Sequence, residues 1–162
     1  VLATLADLPH PCIMSYRESF VSDGSLWIAL EWSAGGTLQD AFGAIQKRKR
    51  PEFTEDEVWN IFLSLCLALD HIHNVHHVLH RDVKLANIFL HDVPQRVLPR
   101  VQLGDFGVST ILDDRSRALT MVGTPYYLSP ELCMGKPYSS KSDIWSLGVA
   151  LFVLINQKMP YE

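Results

Sequence analysis

Four polar side chains occur at a spacing that suits transfer of a phosphoryl group from ATP. Asp82, Lys84 and Asn87 belong to the run 80–87, and Asp105 follows soon after. A carboxylate such as that of Asp82 can orient a hydroxyl nucleophile and take its proton, and a lysine can neutralise charge on the transferring group. Oxygen atoms of Asn87 and Asp105 can hold the Mg²⁺ of the triphosphate. The pattern therefore predicts phosphoryl-transfer chemistry, with polar loop residues that cap turns as the simpler alternative.

The composition is that of one ordinary globular domain. The chain has 162 residues, of which 48% are apolar, and a formal net charge of -4. The mild acidity argues against nucleic acid or an anionic membrane as the main partner. The longest apolar stretch, 144–155, has about 12 residues where a membrane span needs about 20, so it predicts a buried helix. Three widely spaced cysteines indicate neither a zinc site nor a disulfide framework, which favours a reducing, intracellular setting.

Periodicity and turn residues predict the elements of the first third of the chain. Residues 1–8 have helical spacing, and no signal peptide is expected there. Strands are predicted over 12–16 and 26–32, joined by a turn at Asp23-Gly24. A short helix is predicted over 37–45. The basic run 47–50 is interpreted as a solvated loop, with a docking patch as the alternative.

The remaining elements are two long helices and two short strands. Thr54 and Glu57 form a capping-box pattern ahead of a helix that is apolar nearly all round, which predicts burial. Short strands are predicted over 87–90 and 100–103, followed by a loop from 105 to about 130. A second buried helix is predicted over 140–157, with Ser142 or a neighbour as its N-cap.

Several of these segments together resemble a protein kinase domain, and in particular the NIMA-related (Nek) serine/threonine kinases. The runs 80–87 and 103–107 resemble the catalytic loop H-R-D-x-K-x-x-N and the magnesium loop D-F-G. The runs 15–20, 87–90 and 123–131 carry the Nek resemblance, which covers essentially the whole chain. It implies an α+β, kinase-like fold. In this fold residues 1–33 are a small-lobe remnant of two or three strands with the hinge, and residues 34–162 are a helical large lobe, truncated after its central helix.

The resemblance implies a role for each site residue. Asp82 is the catalytic base, Lys84 neutralises charge, and Thr124 bonds to both. Asn87 and Asp105 bind Mg²⁺, with ATP as the nucleotide and serine or threonine hydroxyls of proteins as acceptors.

The adenine site is implied by the segment after the second predicted strand. Leu30 corresponds to the gatekeeper, the backbone carbonyl of Glu31 and amide of Ser33 bind the adenine edge, and Phe89 packs beneath the ring. The alternative for these residues is an ordinary strand and turn. Thr37 stands where kinases often carry an acidic residue that contacts ribose or substrate.

Regulation and support of the catalytic loop are implied in the same way. Thr120 is predicted to be the activating phosphorylation site, with Ser116 as the runner-up, and its phosphate is predicted to pair with Arg81. Asp143 is predicted to bond to the backbone at His80 and Arg81, with helix capping as the alternative role.

Two features depart from the family pattern. The turn after the first long helix is one residue longer than in relatives, and His73 and His77 within it suit either a metal site or a helix end. No glycine-rich loop or ATP-positioning lysine is present in these residues. The isolated chain is therefore expected to be inactive. For the parent protein, the alternative to a serine/threonine kinase is a degenerate kinase that acts as a non-catalytic protein-binding module. The expected location is intracellular, in the cytoplasm or on the cytoskeleton, and regulatory partners are not predicted.

Overall fold

The computed structural model describes residues 10–91, 98–105 and 125–161. Two small antiparallel sheets lie within these ranges. The first pairs β1 (Tyr16–Ser22) with β2 (Ser25–Leu30), and the second pairs β3 (Ile88–His91) with β4 (Arg100–Leu103). The α-helices are α1 (Leu38–Gln46), α2 (Glu55–Asp70), α3 (Pro130–Cys133) and α4 (Ser140–Asn156). The predicted α+β class is confirmed, whereas the predicted helix over 1–8 lies outside the described residues.

The β1–β2 hairpin turns where the sequence predicts, at Asp23 and Gly24. Their φ angles of 53° and 74° are the positive values that a two-residue hairpin turn requires, and Ser22 pairs with Ser25 across it. The predicted strand over 12–16 is wrong. A two-residue turn joins strands that reach the turn itself, so the first strand of this hairpin is β1, which ends at Ser22. The second strand also ends at Leu30 rather than at residue 32.

Residues 12–14 instead lie along β4. The Leu103 amide donates to the Cys12 carbonyl at 2.8 Å, and the Met14 amide donates to the Leu103 carbonyl at 2.8 Å. The strand that leads to Asp105 is therefore held on two sides, by β3 and by this segment.

Both predicted helix starts in the first half are capped. The Thr54 hydroxyl accepts from the Glu57 amide at 3.2 Å while the Glu57 carboxylate accepts from the Thr54 amide at 2.8 Å, which confirms the capping box. Thr37 and Asp40 form the same reciprocal pair at the start of α1. These bonds satisfy amides that the first turn of a helix leaves without an intrahelical partner.

One hydrophobic core lies between α2, the β3–β4 hairpin and α4. It includes Ile61, Leu65 and Leu69 of α2, Ile88 and Leu103 of the hairpin, and Leu147 and Val153 of α4. These apolar side chains leave water together, and this burial stabilises the contact between the helices and the hairpin.

The two long helices, which the sequence predicts to be buried, each bury one face and leave part of their surface in water. Leu63 and Leu67 on α2 are each 55% exposed, and Ile155 on α4 is 64% exposed. A helix that contacts a core along one stripe leaves its opposite face in water. None of the helices in the described ranges combines the length and apolar character needed to cross a membrane.

The helix α2 continues into a π-helical turn, His71–Val75, in which the His76 amide donates to the His71 carbonyl at 3.3 Å. A π turn accommodates one more residue than an α-helical turn. The extra residue inferred for this turn from the family resemblance stays a prediction. At the other long helix, α4 begins after Ser139, whose amide bonds to the Ser142 hydroxyl at 3.3 Å. Of the predicted short strands, 100–103 is confirmed and 87–90 is displaced by one residue.

Candidate active site

The loop that carries Asp82 is anchored by a buried carboxylate on α4. Asp143 is fully buried, and its Oδ2 accepts from the His80 amide at 2.9 Å while its Oδ1 accepts from the Arg81 amide at 2.9 Å. The predicted bonding of Asp143 to this backbone is confirmed. Charge-assisted hydrogen bonds of this kind compensate for removing the carboxylate from water.

Two side chains complete the environment of Asp143. The Tyr138 hydroxyl lies 2.5 Å from Oδ1, and His73 Nε2 lies 2.7 Å from Oδ2. Burial, followed by the charge of Asp143, raises the pKa of the Tyr138 phenol well above its ordinary value, so the phenol keeps the proton that it donates. His73 is thus engaged by α4 rather than paired with His77, and no cluster of three or more metal-binding side chains occurs in the part of the chain that the structure describes.

His80 joins the predicted catalytic loop to the segment before Asp105. Its ring Nε2 lies 3.0 Å from the Gly104 carbonyl oxygen, and its Nδ1 accepts from the Asp82 amide at 3.3 Å. Burial lowers the pKa of His80 and outweighs the nearby carboxylates, so the ring is neutral with its proton on Nε2. This link between the two loops was not predicted from the sequence.

Asp82 is contacted by Lys84 and Asn87. Lys84 Nζ lies 2.6 Å from Asp82 Oδ2, and the Asn87 amide nitrogen donates to the same oxygen at 2.9 Å and to the Asp82 carbonyl at 2.8 Å. Asp82 and Lys84 are partly exposed, with 41% and 39% of their side chains accessible. The carboxylate is therefore held by two donors and is open to a second molecule.

The β3–β4 hairpin brings Asn87 and Asp105 to the same end of the site. The Gly104 amide donates to the Asn87 carbonyl at 2.9 Å, next to the paired residues Ile88 and Leu103. Asp105 is exposed and has a φ of 54°, in the left-handed region that non-glycine residues rarely adopt. Such a backbone strain is typical of functional positions.

Gly104 makes this arrangement possible because a side chain there would have no room. A Cβ on Gly104 would lie 2.9 Å from the Phe89 ring and 3.0 Å from the Met14 Cβ. The Phe89 ring therefore lies against the backbone just before Asp105, so the structure brings together the predicted adenine-packing residue and one predicted magnesium ligand.

The predicted hinge follows β2 and is attached to its surroundings at several points. The Glu31 amide donates to the Ser15 carbonyl at 2.9 Å, and the Ser33 hydroxyl donates to the Leu90 carbonyl at 2.6 Å. Leu30, the predicted gatekeeper, is 40% exposed. The Ser33 bond connects the predicted hinge to β3, whose Phe89 also forms a bridge with Thr37.

Sequence reasoning missed an ion pair behind this segment. Glu31 pairs with Arg100 Nη2, and its other carboxylate oxygen accepts from Gln102 Nε2 at 3.4 Å. Burial raises the pKa of Glu31, but the hydrogen bond and charge of Arg100 hold it below its ordinary value. One available signal was Gln102, a polar residue between the apolar Val101 and Leu103 of a predicted strand.

Three predicted residues have no structural description here. Thr120 and Ser116, predicted for regulation, and Thr124, predicted to bond to Asp82 and Lys84, lie outside the described residues. Arg81, the predicted partner of a phosphate on Thr120, is exposed, with a φ of 69° and its amide bonded to Asp143.

Comparison with known proteins identifies the family. Residues 2–162 match the protein kinase domain. The chain belongs to the protein kinase family. This match confirms the kinase-like fold that the sequence predicts.

Individual relatives agree with the predicted resemblance to the Nek kinases. Serine/threonine-protein kinase Nek8 of Danio rerio is 49% identical over 155 residues, which cover 96% of this chain and 21% of that protein. Serine/threonine-protein kinase Nek1 of Mus musculus is 45% identical over 162 residues, which cover 99% of this chain and 13% of that protein. Serine/threonine-protein kinase Nek3 of Mus musculus is 42% identical over 160 residues, which cover 98% of this chain and 29% of that protein. This kinase-family chain thus spans less than a third of the length of these relatives.

Proposed function

We propose that this chain carries the active site of a serine/threonine protein kinase, which transfers the γ-phosphoryl group of ATP to hydroxyl groups of protein substrates. The observation that carries the proposal is the contact of Lys84 and Asn87 with the Asp82 carboxylate, at 2.6 and 2.9 Å. A degenerate binding protein does not need this arrangement. Because the proposed substrate is ATP, we propose an intracellular location for the protein, and more specifically the cytoplasm or the cytoskeleton.

Asp82 is proposed to act as the base. Lys84 and Asn87 both contact Oδ2, which leaves Oδ1 as the oxygen proposed to accept the proton of the attacking serine or threonine hydroxyl. The partly exposed Lys84 ammonium is proposed to stabilise negative charge on the transferring phosphoryl group. Thr124 is proposed to bond to both residues.

Asn87 and Asp105 fit the requirements of a magnesium site. The two hydrogen bonds that the Asn87 side chain donates to Asp82 both come from its amide nitrogen, so its carbonyl oxygen is the atom that suits a hard cation. Asp105 adds an exposed carboxylate at the same end of the hairpin. Mg²⁺ bound there would neutralise charge on the phosphates of ATP.

The adenine end of the site is proposed to lie at the hinge. The Glu31 carbonyl and the Ser33 amide are proposed to bind the adenine edge, with Leu30 as gatekeeper and Phe89 beneath the ring. Support comes from the bond between Ser33 and Leu90, which holds the segment beside the strand that contains Phe89.

The test is Asp82→Asn in the full-length protein. We expect kcat for phosphorylation of a serine- or threonine-containing substrate to fall by about 10²–10⁴-fold, because the base is lost. Affinity for ATP should be retained, since Asp82 is not proposed to contact the nucleotide. The matched control is Asp56→Asn, which changes an exposed carboxylate at the start of α2. Equal activity of the two variants would remove Asp82 from the mechanism.

Thr120 is proposed to be the activating phosphorylation site, with Ser116 as the runner-up. A phosphate on Thr120 would find a cation in the exposed Arg81, whose backbone is already fixed by Asp143. We expect Thr120→Ala in the full-length protein to abolish activation and Ser116→Ala to leave it intact. Undiminished activity of Thr120→Ala, measured after pre-incubation with ATP, would show that the assignment is wrong.

A further inference from the structure

We propose that Arg100 is a positioning residue for the nucleotide, because through Glu31 it fixes the hinge against β4. Arg100 lies on the strand that leads to Asp105, and Glu31 lies in the segment proposed to bind adenine. The inference rests on the proposed kinase function, since it concerns how that site receives ATP.

The Glu31 carboxylate is bridged to two residues of one strand. Its Oε1 pairs with Arg100 Nη2, and its Oε2 accepts from Gln102 Nε2 at 3.4 Å. Positions 100 and 102 are two apart on β4, so their side chains project from the same face of the strand. One carboxylate therefore contacts two neighbouring donors at once.

Gln102 is itself fixed. Its side chain is 1% exposed, and its amide nitrogen also donates to the Ile13 carbonyl at 3.0 Å. His91 Nδ1 on β3 lies 3.4 Å from Arg100 Nη2. Burial, followed by the charge of Arg100, lowers the pKa of His91, which disfavours a second cation beside Arg100. The Arg100 guanidinium and the Gln102 amide that contact Glu31 are therefore held by β3, β4 and the segment 11–14.

This network gives both ends of the proposed nucleotide site a common support. Backbone and hydroxyl bonds already join the hinge to Ser15 and Leu90. The Glu31 side chain adds a direct connection from the hinge to β4, and β4 continues through Gly104 to Asp105. Fixing a binding segment in advance reduces the entropy that is lost when the ligand binds.

The pair should act on nucleotide binding rather than on the chemical step. Arg100 and Glu31 have side-chain exposures of 32% and 20%, so their attraction is only partly screened by water. Within the described part of the chain, the Arg100 side chain contacts Glu31 and His91 rather than the residues proposed for the chemical step. Loosening the hinge should therefore raise KM for ATP and leave kcat nearly unchanged.

The experiment compares Arg100→Gln with Arg50→Gln in the full-length protein. Arg50 forms an ion pair of the same type with Glu57, at 2.5 Å and with exposures of 28% and 22%, but near the start of α2. We expect Arg100→Gln to raise KM for ATP by about three- to tenfold with kcat within about twofold, as befits loss of a partly screened pair. Arg50→Gln should change neither constant, and Arg100→Lys should restore part of the affinity.

The outcomes are distinguishable. If KM for ATP rises no more in Arg100→Gln than in Arg50→Gln, the inference is wrong while the kinase proposal stands. If KM falls or kcat rises, the pair restrains the site instead of preparing it, and the inference is equally wrong. If the wild-type protein neither binds nor consumes ATP, the proposed function fails and the inference fails with it.

Discussion

Asp143 has the densest set of polar contacts at the candidate site, and its two oxygens divide four donors between them. Oδ1 faces the Arg81 amide and the Tyr138 hydroxyl, while Oδ2 faces the His80 amide and His73. In Asp143→Asn, the amide nitrogen must replace one oxygen and then meets two donors, one of them a backbone amide. We expect the free energy of unfolding to fall by about 3 kcal/mol and kcat to fall with it.

The matched control for this prediction is Asp70→Asn. Asp70 is exposed and accepts one bond, from the Asn74 amide at 2.7 Å, so its replacement should cost less than about 0.5 kcal/mol. Denaturant unfolding of both variants measures the difference. Similar midpoints would mean that the bonds of Asp143 do not hold the catalytic loop.

At the scale of elements, the predicted hinge segment and β3 approach each other so closely that a Cβ at Gly35 has no room. A Cβ on Gly35 would overlap the Leu90 carbonyl oxygen and lie 3.0 Å from its carbonyl carbon. This carbonyl also accepts the Ser33 hydroxyl bond, and the Leu90 amide donates to Gly36 at 2.9 Å. We expect Gly35→Ala to lower the free energy of unfolding by about 2 kcal/mol, because backbone rather than a flexible side chain must move.

Gly43 supplies the opposite case within α1. A Cβ there would meet nothing within 4 Å, so Gly43→Ala should raise the free energy of unfolding by about 0.5–1 kcal/mol. Thermal unfolding of the two variants in the full-length protein checks both signs. A stabilised Gly35→Ala variant would show that the hinge and β3 are farther apart than described.

The sequence predicted those elements and contacts that depend on neighbouring residues. The Asp23-Gly24 turn, the Thr54 cap and the catalytic-loop spacing each involve a few adjacent positions, and all three appear in the structure. The Glu31–Arg100 pair joins positions far apart in the chain, and the polar Gln102 within an apolar strand marks only one end of it. The strand predicted over 12–16 was wrong because it also depends on a distant contact. Residues 12–14 pair with β4 rather than with their neighbours in the sequence.

At the scale of the whole molecule, three partly or fully buried histidines share one response to pH. Burial is the first cause that lowers the pKa of each of them, namely His10, His80 and His91. In the unfolded chain each has a pKa of about 6.5, so the unfolded state binds more protons than the folded state below that pH. Their contribution to stability is thus complete above about pH 6.5 and is lost as pH falls below it.

The carboxylates act in a different range. Glu31, Asp40 and Glu131 have pKa values lowered from ordinary values near 4, so their contribution persists until well below the histidine range. We therefore expect the free energy of unfolding to fall between pH 7 and 5.5, and we attribute this expected fall to the histidines. His80 is expected to contribute to this loss, because burial lowers its pKa.

The prediction is checked by denaturant unfolding of the full-length protein at pH 7.5, 6.5 and 5.5. We expect the free energy of unfolding of the kinase domain to decrease across this series, and to decrease less steeply in His80→Gln, which cannot take up the proton. His77→Asn, which changes an exposed histidine, should retain the wild-type slope. A steeper or unchanged slope of the free energy of unfolding against pH in His80→Gln would mean that His80 is already protonated in the folded state. The assignment of a neutral His80 ring between Asp82 and Gly104 would then be wrong.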